Sequence, residues 1–152
     1  CGTGFLLLVM LSPEKFDMEL QEVKEVCRLL IAEGQIDFLD LSLWDCFKPP
    51  ETEKYRVKTL LQHFTELDYG PVRLTVAGKI RSGEDVARVL GSGADFVAIG
   101  RAAVLHHDFP MRVMADPHFQ PVSTPVSEAY LRRKGLSDKF IEYMRRWPDF
   151  VA

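Results

Sequence analysis

Apolar residues recur along the chain in two alternating patterns. Short, nearly continuous apolar runs are typical of strands in parallel sheets, and they lie at 5–11, 36–42, 72–77 and 96–99. Between these runs, apolar positions at three- and four-residue steps predict amphipathic helices, which extend over about 17–33 with Asp17 as N-cap, over about 53–67, and onward from Ser82. This alternation predicts an α/β fold with four parallel strands and right-handed crossovers.

An internal repeat supports a fold built from βα units. The segment E-G-Q-I-D-F-L-D-L-S at 33–42 parallels S-G-A-D-F-V-A-I-G at 92–100. In both, a helix ends at glycine and an Asp-Phe step leads into an apolar strand. A whole (β/α)8 barrel needs about 250 residues, whereas this chain has 152. We therefore expect half of a TIM (β/α)8 barrel.

The sequence changes character after the last predicted strand. Prolines at 110, 117, 121 and 125 predict an irregular segment over 108–125, and Ser127 and Ser137 are predicted caps of two short helices. We expect two parts: a half-barrel over 1–105 and, over 106–152, an irregular wrap with the two helices packed outside the barrel.

The segment from 75 to 101 carries the strongest chemical signal. The third and fourth strands each end near a glycine, Gly78 and Gly100, where backbone N–H groups can approach an anion closely. Arg101 follows, and its guanidinium can grip a phosphate through two donors. These units predict a phosphate site like that after strands 7 and 8 of a (β/α)8 barrel. The alternative is a plain βαβ unit whose glycines serve turns.

Composition excludes several classes of partner. The net charge is −3 and basic residues are scattered, which disfavours nucleic acid and anionic membranes. The longest apolar run is far too short to span a bilayer. Three widely spaced cysteines (Cys1, Cys27 and Cys46) fit a reducing compartment, so we expect a cytoplasmic protein in which Cys27 packs on the apolar face of its helix.

Histidines give no metal site. His106 and His107 are adjacent and would point to different faces of a helix, so a shared metal ion is not expected. His63 falls on the polar side of its helix and is predicted to be solvated.

Other candidate side chains lie at the ends of the predicted strands. Trp44 follows the second strand, where it would either flank a ligand or cap the core. Asp40 and Asp95 resemble paired carboxylates, but Asp95 precedes its strand, at the end where stability rather than chemistry is decided. Arg81 could assist an anion, although an exposed residue at a helix start is the simpler interpretation.

The same residues resemble a known family. V-A-G-K-I, followed one helix later by G-A-D-F-V-A-I-G-R-A, resembles the C-terminal half of the old yellow enzyme family, the FMN-dependent NADH:flavin oxidoreductases and ene-reductases. V-M-L-S-P-E resembles the fifth strand of that family and D-F-L-D-L-S the sixth. D-F-P and Y-L-R-R-K-G-L-S resemble its post-barrel segment, so the likeness covers nearly the whole chain.

The resemblance implies a barrel that holds FMN at the C-terminal ends of its strands. Ala77, Gly78 and Lys79 would end strand 7, with backbone N–H groups turned toward the flavin phosphate. Gly100 and Arg101 would end strand 8, with Arg101 paired to the same phosphate. In such enzymes NADH or NADPH reduces the flavin, which then passes hydride to an activated alkene.

Two departures from the family limit what the resemblance implies. Met10 stands where the family has an arginine beside the flavin ring, and nothing here corresponds to strands 1–4, which carry the family's substrate-anchoring and proton-donating residues. No catalytic residue is therefore assigned. We expect an FMN-dependent oxidoreductase of a small-molecule substrate, present as part of a longer chain or as a homo-oligomer. The alternatives are a non-catalytic half-barrel that binds a phosphorylated ligand, and a different phosphate-binding barrel enzyme, for instance of amino-acid or thiamine biosynthesis.

Overall fold

The sheet contains four parallel strands, each beside the strand that precedes it in the sequence. The computed structural model describes residues 4–152, so Cys1 lies outside the described residues. The spatial order β1-β2-β3-β4, with a crossover after each strand, is the order of strands in a (β/α)8 barrel. The prediction of an α/β fold with four parallel strands of the half-barrel kind is confirmed.

The elements alternate along the first hundred residues and then become helical. The strands are β1 Leu8–Leu11, β2 Phe38–Ser42, β3 Arg73–Ala77 and β4 Phe96–Ala98. The helices are α1 Leu20–Glu33, α2 Leu60–Thr65, α3 Gly83–Gly91, α4 Arg101–Leu105, α5 Phe109–Ala115, α6 Glu128–Arg133 and α7 Asp138–Met144. Among the helices of residues 4–152, none has the length and apolar character needed to cross a membrane.

Contacts divide the chain into two compact units. The first unit comprises the residues up to Ile80 together with Asp85–Ile99, and it contains the whole sheet. The second unit comprises Arg81–Glu84 and Gly100–Ala152. Its core is a cluster of buried apolar residues from α4, the residues just before α6, α6 itself, α7 and the C-terminal segment, namely Leu105, Val126, Leu131, Ile141, Met144 and Phe150.

One face of the sheet holds the core of the first unit. Side chains from the central strands on this face are fully buried, among them Leu39, Leu41, Leu74 and Val76. They pack with the apolar faces of α1 and α2 in one cluster, which includes Val23, Cys27, Leu60 and Phe64. The three- and four-residue spacing on α1 therefore places its apolar stripe against the sheet, as predicted.

The opposite face of the sheet is exposed at both edge strands, and no other element among the described residues of the first unit covers it. Leu8 is 51% exposed, Met10 62% and Phe96 50%. The continuous apolar run at 5–11 predicts a first strand buried on both faces, and this prediction is wrong, because β1 alternates between exposed and half-buried positions. A continuous apolar run predicts two buried faces only where a second layer exists to cover them.

The Asp-Phe repeat corresponds to a repeated hydrogen-bonded clamp. Asp37 precedes β2, and its carboxylate accepts a hydrogen bond from the Leu7 N–H at 2.8 Å while its own N–H donates to the Leu7 carbonyl at 2.9 Å. Asp95 precedes β4 and forms the same two bonds with Leu74, both at 2.9 Å. Each clamp joins a strand to its neighbour at the N-terminal edge. As predicted, Asp95 therefore serves the stability of the sheet at the N-terminal edge.

Helix ends follow local capping, which corrects two predictions. Asp17 was predicted to cap α1, but this is wrong: Glu19 is the N-cap and forms a capping box with Glu22. The predicted helix over 53–67 is interrupted, because Thr59 caps α2 and leaves only a short 3-10 helix, Glu53–Tyr55, before it.

In the second unit, the serine caps are confirmed and one irregular stretch is helical. Ser127 and Ser137 each accept a hydrogen bond from the backbone three residues later, at the starts of α6 and α7. The segment over 108–125, predicted to be irregular, contains the helix α5. Pro110 lies in the first turn of this helix, where a backbone N–H has no acceptor within the helix, so the missing N–H of proline costs no hydrogen bond.

The carboxylate clamp predicts a loss of stability on its removal. Asp95 also pairs with Arg73 at 3.0 Å, and its partner Leu74 is fully buried. We expect Asp95→Ala to lower the free energy of unfolding by about 1–3 kcal/mol, because the Leu74 N–H loses its acceptor. Urea unfolding followed by circular dichroism measures this change. The control is Glu33→Ala, which removes an exposed carboxylate at the end of α1 and should change stability by less than about 0.5 kcal/mol. Equal losses in the two variants would contradict the clamp.

Candidate functional site

The candidate residues of the first unit follow directly on β3. Ala77 is the last residue of the strand, and its register partners are Ser42 in β2 and Ala98 in β4. Gly78 has a φ of 153° and Lys79 a φ of 51°. Two successive residues with positive φ turn the chain sharply at the C-terminal edge of the sheet, where ligands bind in parallel α/β folds.

Gly78 has a structural reason to be glycine. A Cβ at this position would lie 2.9 Å from the backbone nitrogen of Cys46 and 3.3 Å from those of Trp44 and Asp45. The Cys46 N–H also donates a hydrogen bond to the Gly78 carbonyl at 3.2 Å. The loop after β2 therefore packs directly on the end of β3. The alternative interpretation, a plain βαβ unit whose glycine serves a turn, therefore explains Gly78 without a ligand.

The ammonium group of Lys79 is paired within the same loop. Its Nζ lies 2.8 Å from Oδ2 of Asp45. Burial alone would raise the pKa of Asp45, but the hydrogen bond and charge of Lys79, with the Phe47 and Lys48 N–H groups, outweigh burial and lower it. Because Asp45 balances the ammonium charge, the backbone N–H of Lys79 is more available to an anion than its side chain is.

Trp44 lies beside this ion pair and is 47% exposed, with a φ of 58°. The Nζ of Lys15 lies 5.5 Å from the centre of its ring, within the range of a cation–π contact. Of the two interpretations of Trp44, a cap on the core does not fit this exposure. An indole at the ligand-binding edge of the sheet fits a flanking position.

A buried carboxylate joins the loops after β1 and β2. The Glu14 side chain is 6% exposed, and Oε1 accepts a hydrogen bond from the Glu51 N–H at 2.7 Å. Its Oε2 lies 3.3 Å from Nζ of Lys48 but is not aligned for a hydrogen bond. This contact holds the loops that surround the candidate site in a fixed arrangement.

Gly100 and Arg101 belong to the second unit. No described atom lies within 4 Å of a Cβ built on Gly100, so protein contacts do not require glycine there. The Arg101 guanidinium lies 5.0 Å from the ring centre of Trp147. Burial, and to a smaller degree the charge of Arg81, lower the pKa of Arg101, although an arginine stays charged at neutral pH.

The predicted site residues thus fall into two local groups. Ala77, Gly78 and Lys79 are consecutive and contact the loop after β2, while Gly100 and Arg101 begin α4. The convergence of the two groups on one phosphate stays a prediction. Sequence reasoning missed Asp45 and Trp147, although Asp45 could have been noticed in the triplet L-W-D, which directly follows the strand next to V-A-G-K.

No family model matches the chain. One stretch of 33 residues, 22% of the chain, is 61% identical to the imidazole glycerol phosphate synthase subunit HisF of Leifsonia xyli subsp. xyli (strain CTCB07). That stretch covers 13% of the HisF subunit, so the similarity is local.

Asp40 lies on the open face of the sheet, at the register of Met10 and Thr75. Its Oδ1 is buried without a hydrogen-bond partner, and burial raises the pKa of its carboxyl group. It is not paired with Asp95, whose carboxylate is engaged with Leu74 and Arg73. The two acids therefore do not form a dyad.

Two of the histidines, His63 and His106, are buried and hydrogen-bonded to the backbone. His63 was predicted to be solvated, which is wrong: it is 6% exposed and its Nε2 lies 2.8 Å from the Tyr55 carbonyl. In the second unit, Nε2 of His106 accepts a hydrogen bond from the Val122 N–H at 3.0 Å, whereas His107 is exposed. Within residues 4–152, no cluster of His, Cys, Asp or Glu has the arrangement of a metal site.

The two described cysteines are free thiols in the core. Cys27 and Cys46 are both fully buried and unpaired. Burial raises the pKa of each thiol to about 12, which keeps it protonated and unreactive at neutral pH. The predicted packing role of Cys27 is confirmed.

The close approach at Gly78 predicts the effect of adding a methyl group there. We expect Gly78→Ala to destabilise the protein by about 1–3 kcal/mol, because the new Cβ would strain the turn and press on the loop after β2. Thermal unfolding measures the change. The matched control is Gly91→Ala, where a built Cβ meets no atom within 4 Å and stability should hold or rise by about 0.4–1 kcal/mol. A Gly78→Ala protein as stable as wild type would refute the packing explanation.

The raised pKa of Asp40 predicts a pH-dependent effect. Folding favours its protonated form, so this group's contribution to stability is full below the unfolded value of 3.8 and is lost as pH rises through the folded pKa. Asp40→Asn should therefore raise the melting temperature at pH 7, because the neutral amide removes the cost of burying a charge. This gain should shrink below pH 3.8. Asp68→Asn, at an exposed turn, is the control and should show no gain. A gain that is the same at both pH values would contradict the assignment.

Proposed function

We propose that this chain carries the phosphate-binding end of an FMN site and belongs to an FMN-dependent NAD(P)H oxidoreductase. The main support for this proposal is the register of β3 and β4. Ala77 and Ala98 are partners in this ladder, so the segments V-A-G-K and A-I-G-R leave neighbouring strands at the C-terminal edge of the sheet. Such a pair of strand ends suits a phosphate in α/β barrels.

The roles within this proposal follow from the contacts. The N–H groups of Gly78 and Lys79 would face the phosphate, with the Lys79 charge balanced by Asp45. Arg101, held on the face of Trp147, would supply the positive charge. The open space beside Gly100 leaves room for close approach of an anion.

When bound, FMN would supply the hydride-transfer chemistry, with NADH or NADPH as reductant and an activated alkene as acceptor. The chain's own part is binding and orientation. Met10, at the family position of a flavin-facing arginine, is an uncharged thioether on the open face of the sheet. No residue of the chain is assigned a catalytic role. We also propose a cytoplasmic location, which the unpaired Cys27 and Cys46 favour.

The second candidate function is a half-barrel module that binds another phosphate ester without catalysis. Two observations favour a ligand other than FMN. Internal packing already accounts for Gly78, and the local similarity is to a synthase whose name specifies a glycerol phosphate compound. A phosphate site is common to both candidates, so the flavin ring is what separates them.

The test compares FMN with riboflavin, which lacks the phosphate. We expect the protein to quench FMN fluorescence, and Arg101→Ala to weaken FMN binding about 10- to 100-fold, because it removes charge-assisted hydrogen bonds worth about 1.5–3 kcal/mol. Riboflavin affinity should be unchanged by this substitution. Arg146→Ala, which removes another arginine stacked on a ring in the second unit, is the control and should bind FMN as wild type does.

Three results would decide against the flavin proposal. Absence of FMN binding, with thermal stabilisation by glycerol 3-phosphate, would favour the module. Equal losses in Arg101→Ala and Arg146→Ala would indicate general electrostatics. An equal loss of riboflavin binding in Arg101→Ala would show that the effect of Arg101 does not pass through the phosphate.

A further inference from the structure

A histidine holds part of the chain between α5 and α6 against the rest of the second unit. Nε2 of His106, the residue that ends α4, accepts a hydrogen bond from the Val122 N–H at 3.0 Å. The ring of Phe119 lies edge-on to the imidazole, with ring centres 5.2 Å apart. The Phe119 carbonyl in turn accepts a hydrogen bond from the Gly83 N–H at 2.9 Å. The 119–122 segment is therefore attached both to the end of α4 and to the first residue of α3.

The imidazole of His106 is closed to water and has one hydrogen-bond partner. The residue is 7% exposed, and its Nδ1 is buried without a partner among the described residues. Because Nε2 is the acceptor for Val122, the proton of the neutral ring lies on Nδ1. A second proton would have to be placed on Nε2, directly against the Val122 N–H. An imidazolium has two donors and no acceptor, so protonation of His106 breaks this hydrogen bond.

Most of the charged groups around the ring also disfavour the imidazolium. Burial, followed by the charges of Arg112 on α5 and Lys134 at the end of α6, lowers the pKa of His106. His107 adds a smaller lowering, whereas Asp108 raises the pKa without outweighing the other groups. The carboxylate of Asp108 is itself paired with Nε of Arg112 at 2.9 Å. No adjacent anion is therefore left to compensate a proton on His106.

The pH dependence of this contact has a definite sign. The folded pKa of His106 lies below its ordinary value of 6.5, so the open form of the segment binds more protons than the closed form. The stabilisation is full above pH 6.5 and is lost as pH falls through the folded pKa. His118, next to the segment, acts in the opposite direction, since its protonation would favour its contact with Glu84 at 3.3 Å. Both of these side chains are largely exposed, so their contact contributes little.

We propose that His106 is an acid-sensitive contact whose protonation releases the 119–122 segment from α4. The Val122 N–H loses its acceptor, and Phe119 moves away from the charged ring and from the Gly83 N–H. The core of the second unit consists of apolar side chains that do not titrate, so the opening is confined to the segment. This inference does not depend on the FMN proposal, because none of its residues is assigned to the phosphate site.

The test is hydrogen exchange of backbone amides, measured by NMR on the intact protein at about pH 7.5 and about pH 5.5. Rates are expressed as protection relative to an unstructured peptide at the same pH. We expect the protection of the Val122 amide to fall by up to about 10-fold at the lower pH, the limit for an exposed histidine with a pKa of 6.5. At both pH values this amide should be less protected than that of Leu131, which is fully buried in α6.

Two glutamine variants separate His106 from its neighbour. His106→Gln should remove the fall in protection, because the glutamine Oε1 can accept the Val122 N–H and does not titrate. His107→Gln replaces the adjacent, exposed histidine and should keep the fall. A further readout needs no variant: nitrogen-resolved NMR spectra of the wild-type ring should show the His106 proton on Nδ1 at about pH 7.5.

Four results would overturn the proposal. The first is a neutral His106 ring that carries its proton on Nε2. The second is a wild-type Val122 amide with the same protection at both pH values. The third is an equal fall in wild type and His106→Gln, or its loss in His107→Gln. The fourth is equal protection of the Val122 and Leu131 amides, which would mean that the segment opens only when the whole unit unfolds.

Discussion

The ladder between β2 and β3 is the contact on which the candidate site depends. It runs from Phe38 opposite Arg73 to Ser42 opposite Ala77, and the Leu43 N–H continues it by donating to the Ala77 carbonyl at 2.8 Å. Parallel pairing brings the C-terminal ends of both strands to one edge. The loop after β2 therefore meets the turn after β3, and the Asp45–Lys79 ion pair and the crowding at Gly78 follow from this geometry.

The Asp-Phe repeat shows how the opposite edge is held. In the units that join β1 to β2 and β3 to β4, a carboxylate placed just before the second strand bonds to the backbone of the first, so the register of these two pairs is fixed where their strands begin. A single-residue slip would break this bond and reverse the faces of the strand. The clamps at one edge and the crowded turn at the other together set where the strand ends lie.

Periodicity was sufficient to predict the strands and their order, because four βα units leave few allowed connections. It failed where a contact distant in the sequence decides the outcome. His63 is buried because the Tyr55 carbonyl and ring meet it, and nothing in its helix indicates this. The exposure of Leu8 depends on a layer that its own apolar run cannot describe. At the site, residue types indicated Gly78 and Lys79, but only coordinates assign Gly78 a packing cause and Lys79 a carboxylate partner.

The distribution of indole rings has a practical consequence. The chain has two tryptophans. Trp44 lies in the first unit beside Lys15, and Trp147 lies in the second beneath the Arg101 guanidinium. Each unit therefore contains its own intrinsic fluorophore with a cation against it. Replacing either ring by phenylalanine leaves an emission that reports on one unit alone, so the order in which the two units unfold can be read optically without any label.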